Sequence, residues 1–154
     1  MNKSCTDSWS TPVLIRRHIE AKYGKISDYD PCPLLTNWTA GIDYDGLLAE
    51  WPLCDDGVIF VNPPYSQLKS TKSKIGWIEK CHIESQRGCT IILLIPSRTG
   101  TSWFHDIILS NGHGIEFLRG RLKFGDSKTS APFDSMLITM TGSQTSMTNN
   151  EDDE

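Results

Sequence analysis

Four consecutive residues carry the most specific chemistry in this chain: Asn62, Pro63, Pro64 and Tyr65. An exocyclic aromatic amine is a poor nucleophile because its lone pair is delocalised into the ring. An amide oxygen and a backbone carbonyl that each accept one N–H draw the nitrogen toward a tetrahedral state and aim its lone pair at an electrophile. Asn62 can supply the first acceptor and the Pro63 carbonyl the second. The two prolines fix the backbone, so the acceptors are set before the substrate arrives. Tyr65 can stack on the ring that bears the amine. The chemistry such a site would perform is transfer of a methyl group to a planar amine. A strand closed by a Pro-Pro turn and capped by Asn is the plain structural account of the same residues.

Those residues need a strand to hold them, and Val58–Ile59–Phe60–Val61 supplies an apolar run immediately before. Residues 90–95 form a second buried strand, ended by Pro96. Two more strands are expected at 115–118 and 136–140, and a short one ending at Asp30. Helices are expected over 12–23, 73–86 and 102–109. Thr11 is a good N-cap for the first and Pro12 suits its first position. Leu14, Ile15, Ile19 and Tyr23 mark its apolar stripe, and Trp103, Phe104 and Ile107 mark that of the third. Strands alternating with helices predict an α/β fold with a mostly parallel sheet. Ligands in such sheets sit beyond the carboxyl ends of the strands, which singles out the segments after Asp30, Val61 and Ile95.

Composition narrows the partners. The net charge of −4 comes from the last four of the 154 residues, all acidic; the body before them has equal numbers of acids and bases. A nucleic acid would therefore be held by a local patch rather than by overall charge. The five cysteines are odd in number and lack metal-ligand spacing, which predicts reduced thiols and no metal site. No apolar run is long enough for a membrane span. Residues 1–8 and the tail 143–154 are expected to be loose, leaving one domain over 9–142.

The chain resembles the small phage-type, Dam-like DNA N6-adenine methyltransferases found in bacteriophages and prophages. The resemblance runs through Trp9-Ser10-Thr11-Pro12, Asp30-Pro31-Cys32, Asp45-Gly46-Leu47 with Trp51, and Val61 to Tyr65. It continues through Leu94 to Thr99, Trp103-Phe104-His105, Phe117 to Phe124, and Ala131 to Met136. It implies a compact Rossmann-like fold that uses S-adenosylmethionine and acts on DNA in the cytoplasm of a bacterial host. It also implies that Trp9, Thr11 and Pro12 form a cofactor motif, and that Asp30, with Pro31, is the acid near the cofactor's methionine end, joined by Asn62. The chain departs from the wider superfamily in having no Gly-x-Gly loop after Asp30. The short span from Asp30 to Asn62 implies a lost or reduced strand–helix unit.

Other candidates have two readings each. Asp45 either contacts the cofactor's adenosine half or belongs to a turn. Ser97 and Arg98 follow the strongest strand, where a substrate or phosphate contact competes with a solvated loop. Arg119, Arg121 and Lys123 alternate with apolar residues, so a strand would place all three on one face as a phosphate-binding row; an ordinary solvent face is the alternative. Phe133 shapes a target-base pocket or simply packs. His105 is read as a surface residue or a supporting one. The same Asn-Pro-Pro-Tyr chemistry would serve RNA adenine, cytosine N4 or a glutamine side-chain amide, and a non-catalytic nucleic-acid-binding module is the alternative of another class. Loops 66–74 and 125–133 must supply specificity, which predicts a modest or relaxed recognition site. Monomer and homodimer both remain open.

Overall fold

The computed structural model describes residues 11–33, 46–53, 57–125 and 127–142. The expectations for Trp9, Asp45, the N-terminus and the acidic tail lie outside these residues. A four-stranded sheet is built from β1 (Ile59–Val61), β2 (Ile91–Pro96), β3 (Gly114–Phe117) and β4 (Ser135–Met140), in the order β1-β2-β4-β3. β1 pairs parallel with β2, whereas β4 pairs antiparallel with both β2 and β3. The segment before Asp30 adds one parallel bridge, Ile26 to Val58, beside β1. The expected strand there is thus reduced to a single bridge.

The sheet is α/β and mixed rather than mostly parallel. β1, β2 and β3 point one way, and β4 is inserted between β2 and β3 in reverse. Parallel neighbours require a crossover, usually helical, but antiparallel ones need only a return loop. Residues 118–134 are such a loop, with Gly120 at φ +76° and Gly125 at φ +56°. Hydrophobic patterning marks both strands equally well in either direction, which is why direction was not legible.

Strand alternation splits the core into two layers. Ile59, Val61, Ile91, Leu93, Ile95, Met136 and Ile138 face one side, against Trp77, Ile78 and Cys81 of helix α2 (Trp77–Gln86). The same layer takes Trp103, Phe104 and Ile108 from a π-helical segment, Phe104–Leu109. Its i→i+5 bonds include Ser110 N–H to His105 O, 3.1 Å. Phe60, Ile92, Leu94 and Leu137 face the other side, against Ile19 of helix α1 (Val13–Lys22). Leu14, assigned from sequence to the α1 stripe, is 74% exposed.

Both helix starts differ from expectation for local reasons. Pro12, not Thr11, is the cap of α1, and no side chain caps it; the Thr11 hydroxyl is used elsewhere. α2 begins four residues later than expected because Gly76 is pressed against the chain before it. A Cβ there would lie 2.4 Å from the Leu68 carbonyl oxygen. The Gly76 N–H donates to Ser70 Oγ at 2.8 Å.

Two polar clusters fasten the helices. Glu116 on β3 accepts from His18 Nε2 (2.8 Å), Tyr23 Oη (2.6 Å) and Lys22 Nζ (3.1 Å), tying α1 to the sheet edge. On the opposite face, His82 of α2 and buried His113 share a 2.9 Å Nδ1–Nε2 hydrogen bond. Burial first, and His82 second, push His113 down to about 4. An unfolded histidine titrates near 6.5, so between these values the unfolded chain takes up the proton first. The contribution of His113 to stability is complete above pH about 6.5, declines as pH falls, and levels off below about 4. His113→Gln should therefore flatten the fall in unfolding free energy between pH 7 and 4, measured by urea titration. A wild-type and variant difference constant over that range would remove His113 from the acid response.

Candidate active site

The sheet topology gathers the candidate segments at one end. Asn62 follows β1, Ser97 and Arg98 follow β2, and the run from Leu118 to Phe124 follows β3, all three strands sharing a direction. β4 starts at the same end, so Phe133 and Asp134 enter there. Ser97 N–H donates to Asp134 O at 2.8 Å, and Leu118 N–H to Ser135 O at 3.0 Å, which ties the loops together.

Asn62 is half-buried at the tip of β1. Its Nδ2 donates to Thr11 Oγ1 at 2.9 Å, and Tyr65 Oη donates to its Oδ1 at 3.1 Å. Pro63 is buried, and Pro64 leads into a 3-10 turn, Tyr65–Gln67. That turn engages the Pro64 carbonyl, through Gln67 N–H at 3.0 Å, one residue past the Pro63 carbonyl of interest. The turn folds Tyr65 back so that its hydroxyl reaches the amide three residues earlier. Its ring is only 7% exposed and meets the edges of Phe133 at 5.5 Å and Phe124 at 6.4 Å between centroids.

Asp30 lies four residues past the Ile26–Val58 bridge, as Asn62 does on the neighbouring strand. Its Oδ1 accepts the Cys32 N–H at 2.9 Å, a local turn that orients the carboxylate. The residue is open to solvent on one side, yet desolvation raises its carboxyl above the usual range, against the pull of the Cys32 N–H and Arg16. A cavity of about 440 Å³ opens beside it, lined by Arg16, Tyr29, Asp30 and Phe60 among others. The Arg16 guanidinium lies 5.6 Å from the Phe60 ring centroid. Pro31 is buried, and its carbonyl accepts the Gly46 N–H at 3.1 Å. A Cβ at Gly46 would lie 2.2 Å from that oxygen, so only glycine permits this approach.

The cationic residues are placed differently from expectation. Arg119, Arg121 and Lys123 are exposed but lie on an irregular loop, because Gly120 takes a left-handed φ between the two arginines. Past that glycine, Arg121 and Lys123 face outward while Leu122 and Phe124 turn inward. Arg121 Nε stands 3.7 Å from Asp134 Oδ1. Arg98 is exposed, and the Ser97 hydroxyl is buried with no hydrogen-bond partner among the described residues. His105 is exposed, its Nε2 2.8 Å from the Thr99 carbonyl oxygen.

Three participants were not singled out from sequence. Phe124 borders Tyr65 together with Phe133, and its inward phase after Lys123 was the available signal. Arg16 and Phe60 line the cavity; Phe60 faces away from α2 by strand alternation. The contact of Thr11 with Asn62, 51 residues away, has no sequence signal. Among the described residues, no group of three or more His, Cys, Asp or Glu could hold a metal ion, and no helix is long and apolar enough to cross a membrane. Cys81 is a buried thiol outside any disulfide.

No curated protein and no solved structure matches the chain significantly. The family model for DNA N-6-adenine-methyltransferase (Dam) matches residues 1–150, nearly the whole length, and the chain belongs to that family.

Proposed function

We propose that residues 9–142 form one catalytic domain that transfers a methyl group from S-adenosylmethionine to N6 of adenine in DNA. The observation that carries this reading is the Asn62 amide, held by two hydrogen bonds at the carboxyl end of β1 and followed by a rigid Pro63-Pro64 turn. Three codirectional strands with a reversed strand between two of them, and helices on both faces, support a compact Rossmann-like methyltransferase fold.

The residues present fit the cofactor. The cavity of about 440 Å³ has room for a nucleoside-sized ligand, aromatic walls at Tyr29 and Phe60, and the Asp30 carboxylate for an ammonium group. Asp30 would hold it from the cavity wall, and Pro12, Pro31, Asn62 and the backbone of Thr11 from beside it, with Trp9 and Asp45 as proposed further contacts. When bound, it supplies a methyl group on a sulfonium that departs as a neutral thioether. Asn62 Oδ1 and the Pro63 carbonyl accept the two N–H bonds of the adenine amine and direct its lone pair at the methyl carbon. As the N–C bond forms, the nitrogen gains positive charge, which both oxygens stabilise. Neither oxygen is basic enough to keep the proton, so it passes to water and leaves the neutral methylamine.

A target adenine must leave the duplex to reach these acceptors. It would stack on Tyr65 once the half-buried Phe133 edge moves aside. Arg98, Arg119, Arg121 and Lys123 offer exposed cations to phosphates on the same end of the sheet, and Ser97, whose hydroxyl is buried at the end of β2, is a proposed substrate contact. No separate recognition domain fits within 9–142, so specificity rests on short loops and is relaxed.

The test is to incubate the protein with methyl-labelled S-adenosylmethionine and unmethylated DNA, then digest to nucleosides. Label in N6-methyldeoxyadenosine is the expected result. Label in methylcytosine, in RNA or in protein instead would change the acceptor. Absence of cofactor binding would reduce the protein to a nucleic-acid-binding module.

A further inference from the structure

An asparagine amide has two ends of opposite hydrogen-bonding character, and only one is useful here. If Nδ2 faced the acceptor amine, donor would meet donor and the amine could not be polarised. Something must therefore select the rotamer that presents Oδ1. Two hydroxyls grip the amide, one at each end: Thr11 Oγ1 accepts from Nδ2 at 2.9 Å and Tyr65 Oη donates to Oδ1 at 3.1 Å. A phenol donates more readily than it accepts, so Tyr65 favours the oxygen. The nitrogen is left facing Thr11.

Thr11 is well placed to act as a fixed point. It immediately precedes Pro12, whose φ of −61° and ψ of 142° set the entry to α1. α1 is held to the sheet by buried Ile19 and by the Glu116 cluster. The Thr11 hydroxyl makes no capping bond to the helix.

We propose that Thr11 is a positioning residue for the reaction: its hydroxyl holds the Asn62 amide nitrogen so that the amide oxygen is the atom offered to the acceptor amine. This rests on the proposed role of Asn62, and it gives Thr11 a task distinct from cofactor contact. Thr11→Val keeps the shape of the side chain and removes the acceptor. Its single-turnover methyl-transfer rate should fall about tenfold, the worth of one hydrogen bond realised in the transition state. The Kd for S-adenosylmethionine, measured by calorimetry, should change less than about twofold, since no cofactor contact is lost on this reading. Thr11→Ser should restore the rate.

A second readout does not depend on turnover. The Asn62 side-chain Nδ2 protons, assigned in a 15N spectrum by their absence from Asn62→Ala, should exchange slowly in the wild type and fast in Thr11→Val. An unchanged rate in Thr11→Val, or a lost cofactor affinity with the rate preserved, would overturn the proposal. So would a rate loss that Thr11→Ser does not restore. If the wild-type protein methylates no DNA, the reading of the acceptor fails separately. The exchange experiment still decides the clamp: protection retained in Thr11→Val overturns it, and protection lost supports it.

Discussion

Asn62→Ala is expected to reduce kcat for adenine methylation by about 10²–10³-fold, the cost of removing one preorganised electrostatic contact at a reacting centre. The amide oxygen at the end of β1 accepts one N–H of the target amine, and its share of the stabilisation grows as the nitrogen turns tetrahedral and gains charge. A contact that strengthens on the way to the transition state is lost from kcat more than from KM. The Pro63 carbonyl remains in the variant, so a residual rate above background should persist.

The fold should survive this change. Asn62 is half-buried, and water can reach the hydroxyls of Thr11 and Tyr65 once the amide is gone. A stability loss of about 1 kcal/mol or less is expected, typical of a partly exposed polar truncation. Asn62→Asp should retain much more activity than the alanine variant, because a carboxylate is also an acceptor and the Thr11 hydroxyl can turn to donate to it. Single-turnover assays on the three proteins, with thermal melts as controls, measure all of this. An alanine variant that keeps wild-type kcat would remove Asn62 from the chemistry, and an equally inactive aspartate would point to a need for the amide nitrogen.

How much of this was legible in the sequence depended on the range of the interaction. Val58 to Val61 and Ile91 to Ile95 announced themselves as strands, because full burial on both faces writes a continuous apolar run. The Asn-Pro-Pro-Tyr turn was legible because its function is carried by adjacent residues. The reversed insertion of β4 was not, since pleated alternation is the same in both directions. The basic residues at 119–123 do not share a strand: β3 ends at Phe117 and Gly120 turns the chain between Arg119 and Arg121, although outward–inward alternation holds from Arg121 to Phe124. Thr11 to Asn62, and Phe124 to Tyr65, are contacts between distant segments that only the fold brings together.

Glu84→Ala is expected to be the most damaging single truncation of the scaffold, costing about 3–5 kcal/mol, because it leaves a buried partner charge uncompensated. Glu84 is 2% exposed, and its carboxylate accepts Lys80 Nζ at 2.8 Å, the Trp51 N–H at 3.3 Å, and Arg87 Nη1. Burial alone would raise the carboxyl pKa, but Lys80 and Arg87 outweigh it and hold the group below its ordinary value. Its folded pKa is lower than its unfolded one, so its contribution is full above about pH 4.3 and disappears as pH falls through the folded value. Lys80 also donates to Ala49 O at 2.7 Å, so the pair clasps residues 49–51 onto α2. Trp51 in turn donates from Nε1 to the Gly46 carbonyl at 2.7 Å, and Gly46 rests on the Pro31 carbonyl. Loosening Glu84 therefore reaches the turn after Asp30. A fall in melting temperature of roughly 10 °C should accompany the change, together with weaker binding of S-adenosylmethionine. Restoring packing with Lys80→Met in the Glu84→Leu background should recover stability, because the lone charge is then gone. If Glu84→Ala melts like the wild type, the buried cluster adds no net stability and the turn at Asp30 is held by its own Gly46–Pro31 contact.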